Sequence, residues 1–200
     1  LRTENRRQRK KDQTKENIYK AALELFLEKG YDKTTIEEIT EKADVAKGTF
    51  FNHFPSKNAI LFYLGEKRLV LLDKVLGEKL IEIQSAKEKL FEYFRILARF
   101  NEEEKEITHL IVIEIFKNAD LRKLSDEKSI VDFQVVLGKI INEGKQRGEF
   151  SSDVNTTHAA DILAGLYFHT LFSWLQGKLS ESLTSELFGR IEIIINGIEP

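Results

Sequence analysis

The stretch TTIEEITEKADVAKGTFFNHFPSK, residues 34–57, contains two short amphipathic segments separated by barely a turn. The second is too short to persist alone, because isolated helices below about 12–15 residues are marginal in water. Thr34-x-x-Glu37 and Thr35-x-x-Glu38 both have the spacing of a capping box, in which a hydroxyl and a carboxylate satisfy the free N–H groups that open a helix. A helix therefore starts at Thr34 or Thr35, with Ile36, Ile39 and Ala43 on one face. Pro55 ends the second segment, which is expected over residues 47–53. Val45, Phe50 and Phe54 fall where such a helix packs on its neighbours, leaving Lys47, Thr49, Phe51, Asn52 and His53 outward. This is the plan of a helix-turn-helix, whose second helix enters the major groove. Asn pairs bidentately with adenine, Lys reaches guanine, and a Thr methyl meets that of thymine. Lys57 stands at the start of the next helix, where a cation and free N–H groups meet phosphate. The competing reading is a surface helical hairpin with ordinary polar residues.

Outward from this stretch, helical spacing dominates. Residues 14–29 place Ile18, Ala22, Leu25 and Phe26 on one face, with Gly30 as a C-terminal stop. After Pro55, Ser56 can cap a helix running to about residue 83, and Ser85-x-x-Glu88 is a further capping box that opens a helix with Leu90, Phe94 and Leu97. The polar run NEEEKE separates that helix from an apolar one near 106–118; others are expected over 125–144, 156–176 and 182–198. The fold class is all-α. A helix-turn-helix domain over 1–56, with its motif near 35–54, is expected to precede a second domain over 57–200.

A formal net charge of −2 argues against a nucleic-acid binder, but its distribution does not. Residues 1–57 hold 13 Lys and Arg against 10 Asp and Glu, whereas the remainder holds 18 against 23. Residues 1–11 alone carry Arg2, Arg6, Arg7, Arg9, Lys10 and Lys11, which predicts a basic arm, disordered without DNA, on an acidic body. The absence of cysteine excludes disulfides and thiolate metal sites and fits the cytoplasm. No run of about 18 apolar residues occurs, so no membrane span is expected.

The last two helices differ from the rest. AADILAGLYFHTLFSWL is apolar on every face, and Ala164 and Gly165 permit close approach of a partner helix. The final helix presents Leu187, Ile191, Ile194, Ile195 and Ile198 as a broad stripe. A homodimer built from both helices would bury it.

Residues 14–61, TKENIYKAALELFLEKGYDKTTIEEITEKADVAKGTFFNHFPSKNAIL, resemble the DNA-binding domain of the tetracycline-repressor (TetR) family. The signposts are AALELF, the GY before the threonines, TTIEEI, VAKGTF and HFPSK. The resemblance implies that Thr35 touches phosphate and that Lys47, Gly48, Thr49 and Asn52 face bases or backbone. Phe51, His53 and Lys57 would occupy further contact positions on a pseudo-palindromic double-stranded operator. Three positions depart from the family pattern. Phe51 replaces the usual Tyr and removes a hydroxyl, Asp44 replaces a turn glycine, and Ala46 replaces a Ser that would cap the recognition helix.

The resemblance also implies a hydrophobic effector cavity in the C-terminal domain, for which Phe62, Phe94, Phe116, Phe133, Tyr167 and Trp174 are candidates, with His109. Core packing is the competing role for each. The acidic body favours an apolar or cationic effector over a phosphorylated one, and an acyl carboxylate would need a buried cation from Arg95 or Arg99. Glu106-x-x-His109 occurs once where a di-iron site needs the motif twice, so neither metal nor cofactor is expected. His158 and Asp161 share a helix face without further ligands. No phosphate-cradling glycine loop or nucleophile elbow supports catalysis. The expected function is a transcriptional repressor released by a small effector. The alternatives are a helical carrier or enzyme with a three-helix head, or a regulator that activates or lacks an effector.

Overall fold

The computed structural model describes the backbone of residues 2–117 and 119–198, and the side chains of these residues except 2–5, 69, 115–117 and 119–132. Among the described residues, helices are the only regular elements: α1 (Arg2–Lys29), α2 (Ile36–Lys42), α3 (Lys47–His53), α4 (Lys57–Leu80), α5 (Ala86–Glu103), α6 (Lys105–Lys117), α7 (Ala119–Arg147), α8 (Thr156–Leu175) and α9 (Leu183–Asn196). Two compact units divide the chain, Leu1–Arg68 and Leu69–Pro200, so the first continues past the boundary expected after residue 56.

In the first unit, Ile18, Ala22, Phe26, Ile39, Phe50 and Phe54 form a core that is at most 3% exposed. The first half of α4 belongs to it. Tyr63 meets Tyr19 edge-on at 5.4 Å between ring centroids and Phe54 at 5.7 Å. The Lys67 ammonium donates to both carboxylate oxygens of Glu16 at 2.9 Å. The basic arm departs from expectation, because α1 extends back to Arg2 instead of beginning near residue 14. Its Arg, Lys and Gln residues are good helix formers, uninterrupted by Gly or Pro. Gln8 donates to Asp12 one turn on at 2.8 Å.

The second unit packs α5 on α7 and α9, and α8 on α7 and α9. Leu90 and Phe94 of α5, Leu137 and Ile141 of α7, Leu163 of α8, and Leu187, Ile191 and Ile195 of α9 are wholly buried. The polar run NEEEKE, expected to separate two helices, is itself almost wholly helical. It lies in the end of α5 and the start of α6, which only Glu104 separates.

Two capping arrangements reach across the fold. The Ser85 hydroxyl accepts from the Glu88 N–H, as its position predicts, but the carboxylate completing this cap is that of Glu149. It accepts from the Ser85 hydroxyl at 2.6 Å, the Ala86 N–H at 3.0 Å and the Lys87 N–H at 3.2 Å. Burial pushes the Glu149 carboxyl up, but these donors win and hold it below its ordinary value. Likewise, Glu102 at the end of α5 accepts from the Thr184 N–H at 2.9 Å and its hydroxyl at 3.0 Å, fixing the start of α9.

Gly144 is not the helix stop its type suggests. Helix α7 passes through it to Arg147, and Gly148, at φ +73°, takes the left-handed turn that ends a helix. Gly144 instead seats the buried ring of Phe150: a Cβ there would lie 2.2 Å from Phe150 Cδ2 and 3.0 Å from Ala86 Cβ.

Candidate nucleic-acid interface

The interface is assembled by local signals. Thr35 caps α2, its hydroxyl accepting from the Glu38 N–H at 3.3 Å while the Glu38 carboxylate accepts from the Thr35 N–H at 2.8 Å. Of the two possible capping boxes this is the one formed. Thr34 is buried instead, its hydroxyl donating to the Gly30 carbonyl at 2.9 Å. Lys29 and then the Thr35 donors hold the Glu38 carboxyl at about 2. Because that pKa lies below the unfolded value, the joint contribution of the Lys29 pair and this cap is complete above about pH 4.5 and is lost as pH falls toward 2.

Asp44 takes φ +53° in the turn between α2 and α3, a conformation that Asp tolerates better than most residues. Ala46 then opens α3 with no side-chain cap. Phe50 and Phe54 turn inward and anchor the helix, at 0% and 2% exposure. The remaining face carries Lys47, Gly48, Phe51 and Asn52, all exposed, beside Thr49 and His53, which are half-buried. Thr35 is exposed at the start of α2. Burial, then the Lys11 and Lys15 ammonium groups, lower the His53 pKa, so this imidazole is neutral at pH 7. Lys57 is less open than the sequence suggests. Its ammonium donates to the Tyr31 carbonyl at 2.7 Å and the Thr34 carbonyl at 2.9 Å, and lies 4.2 Å from the Tyr31 ring centroid. It fastens the turn between α1 and α2.

This exposed, polar second helix on a buried aromatic anchor has the form of a DNA reader. The description "Bacterial regulatory proteins, tetR family" matches residues 18–64, and that of a YsiA-like protein, C-terminal region, matches residues 65–187. The chain belongs to the tetR family of bacterial regulatory proteins. It is a DNA-binding transcriptional regulator. It is 26% identical over 186 residues to the fatty acid metabolism regulator protein of Bacillus subtilis, covering 90% of this chain and 93% of that protein. Its fold is similar to that of Thermus thermophilus FadR, a TetR-family transcriptional repressor, in complex with lauroyl-CoA. The TM-score is 0.73 at 27% identity, over 92% of this chain and 94% of the other. FadR from Bacillus subtilis in complex with stearoyl-CoA gives a TM-score of 0.74 at 26% identity, over 92% and 98%.

In the C-terminal unit of this regulator, the structure gathers three of the expected effector residues. Phe133 stacks on Tyr167 at 5.1 Å, and Phe94 lies within 6.2 Å of both rings. Beside them is a neutral polar group. Asn101 donates to the Tyr167 hydroxyl at 2.9 Å and the Leu97 carbonyl at 2.7 Å, while Thr108 donates to the Asn101 carbonyl oxygen at 3.1 Å. No residue motif pointed to this group, because Asn101 lies in the polar run read only as separating two helices. Trp174 is buried, with Lys105 4.4 Å from its ring centroid. His109 is exposed, Phe62 belongs to the first unit, and the Phe116 side chain lies outside the described residues. Neither arginine suggested for an acyl carboxylate is buried. Arg95 pairs with Glu92 at 2.5 Å in a surface cleft of about 380 Å³, and Arg99 is exposed.

The expected dimer residues divide. Ala164, Leu187, Ile191 and Ile195 are buried within the single chain, and Ile194 and Ile198 are half-buried against its core. Gly165 is exposed, in a stripe with Ile162 and Phe168 on α8; Ile193 is exposed on α9. Among the described residues, no helix is long and apolar enough to cross a membrane.

Asn52→Ala is expected to reduce discrimination at one base pair of each half-site by about 1–3 kcal/mol, the worth of a good bidentate contact. Selection from a randomised duplex pool measures it. An unchanged consensus would remove Asn52 from the base readers.

Proposed function

We propose that this regulator acts in the cytoplasm as a homodimeric repressor, bound to a pseudo-palindromic operator and released by a fatty acyl thioester. The observation that carries the effector is the aromatic wall of Phe94, Phe133 and Tyr167 with the neutral Asn101–Thr108–Tyr167 group beside it. An acyl chain suits the apolar wall, and a thioester carbonyl is neutral, needing hydrogen-bonding groups but no buried cation. A free fatty acid would bring a carboxylate to a place that neither Arg95 nor Arg99 serves. Similarity along most of the chain to FadR structures holding lauroyl-CoA and stearoyl-CoA supports the same class. It also weighs against the preference for unphosphorylated effectors drawn from net charge, since a coenzyme head can remain near solvent.

Two recognition helices in such a dimer read half-sites about one helical turn apart. The effector lowers operator affinity by favouring a conformation in which that spacing is lost, and by linkage the operator weakens effector binding equally. Thr35, Lys47, Gly48, Thr49, Phe51, Asn52, His53 and Lys57 remain the proposed DNA-contacting set. Lys57 in addition fastens the turn between α1 and α2.

The test is thermal denaturation with lauroyl-CoA, stearoyl-CoA, coenzyme A, lauric acid and a lipophilic amine, followed by operator release. An effector at one hundred times its Kd adds about 2.7 kcal/mol to stability. The acyl thioesters are expected to raise Tm and release DNA, while coenzyme A and lauric acid do neither. Stabilisation and release by the amine alone would overturn the thioester and restore the cationic class.

A further inference from the structure

The DNA-facing surface contains an anion where phosphate is to be met. Glu37, on the first turn of α2, forms an ion pair with Lys47, the first residue of α3. Its neighbour Glu38 belongs to the Thr35 cap and pairs with Lys29. The Glu37 carboxylate lies outside that capping box, its backbone hydrogen bond being to its own N–H. The two side chains are 64% and 57% exposed, and ion pairs this open contribute little to folding. The hydrogen bond from Lys47, then one from the Glu37 backbone N–H and then the Lys47 charge hold the Glu37 carboxyl below its ordinary value, so it is ionised throughout the neutral range. The pair joins the helix that crosses the backbone to the end of the helix that enters the groove.

We propose that Glu37 is a specificity-determining residue of the DNA interface, acting with Lys47 as one acid–base reading unit. On DNA of the wrong sequence the pair stays closed. It then withholds one cation from phosphate and sets a carboxylate against the backbone. At a G·C pair it opens: Lys47 donates to guanine O6 or N7, and Glu37 accepts from the cytosine N4 amino group. The carboxylate thus lowers affinity for every site except those that can satisfy it, which is how an unfavourable contact creates discrimination. The inference rests on the DNA-binding role and deepens it.

The experiment uses the full chain, wild type and Glu37→Gln. Each is taken through selection from a randomised duplex pool, then titrated against one unselected duplex at several salt concentrations. Glu37 is exposed, so Tm is expected to stay unchanged. Glu37→Gln is expected to bind the unselected duplex at least about fivefold more tightly at low salt. Its salt slope should steepen by about 0.9 per half-site, as one freed cation reaches phosphate. The consensus should lose a G·C preference at one position per half-site. In a Lys47→Ala background, the gain in unselected affinity should shrink. If the wild type enriches a sequence and Glu37→Gln matches it in consensus, unselected affinity and salt slope, the inference is overturned and the DNA-binding role stands. If the wild type enriches nothing, both fall.

Discussion

Gly144→Ala is expected to destabilise the C-terminal unit by about 1–3 kcal/mol, although alanine is the better helix former. The new methyl group would lie 2.2 and 2.4 Å from two carbons of the Phe150 ring and 3.0 Å from the Ala86 Cβ. The ring is 1% exposed and cannot swing aside without leaving the core. Helix propensity returns at most about 1 kcal/mol, and expelling a phenylalanine outright costs about 3–5 kcal/mol, so the strain decides the sign. The same strain would spread, because Ala86 opens α5 beneath the Glu149 cap. Gly138→Ala is the internal control. It lies in the same helix, but among the described residues its Cβ would meet only the Thr156 methyl at 3.7 Å, an ordinary contact. It should be neutral or stabilising. Thermal denaturation of both variants checks the argument; equal melting temperatures would mean that Phe150 does not need the glycine.

Ile162→Glu combined with Ile193→Glu is expected to give a folded monomer whose operator affinity is lower by about three orders of magnitude or more. Both isoleucines are open in the single chain, at 57% and 75% exposure, so polar substitution there leaves its core intact. In a two-fold interface each appears twice, and burying four unpaired carboxylates costs far more than a helix-bundle contact returns. Without the dimer, the second half-site is no longer bound at the high effective concentration that a linked pair provides. Sizing chromatography and operator titration read the two consequences separately. A variant that remains dimeric would move the interface off Ile162 and Ile193. Glu at Ile195 would be a poor test, because that residue is wholly buried within one chain and would unfold it.

The helix-turn-helix was legible because what builds it is local. The Thr35 cap, the left-handed Asp44, Pro55 and the spacing of Phe50 and Phe54 all lie within a few residues of what they control. The C-terminal unit was less legible because its controls are distant. Glu149 caps a helix 63 residues earlier, as its bond to the Ala86 N–H shows. Periodicity showed the Leu187, Ile191 and Ile195 stripe of α9, but not that α5 of the same chain covers it. Gly144 reads as a stop by type, and only the position of Phe150 reveals its use. The aromatic set was partly legible: Phe94, Phe133 and Tyr167 meet, while Phe62 falls in the other unit and Asn101 carried no signal in an acidic run.

The way the first unit closes has a practical consequence for exchanging heads between regulators. A seam cut at Pro55 or Ser56, where the sequence punctuates, would strip the head of Lys57, Tyr63 and Lys67 and hand it whatever residues the recipient supplies. Tyr19 would lose its edge-on ring, Glu16 its cation, and the carbonyls of Tyr31 and Thr34 the ammonium that gathers them. A seam after Arg68, midway along a continuous helix, keeps every one of these pairings within the transplanted piece. The transferable cassette therefore ends inside a helix, and helical phase across the join becomes the variable that a chimera must preserve.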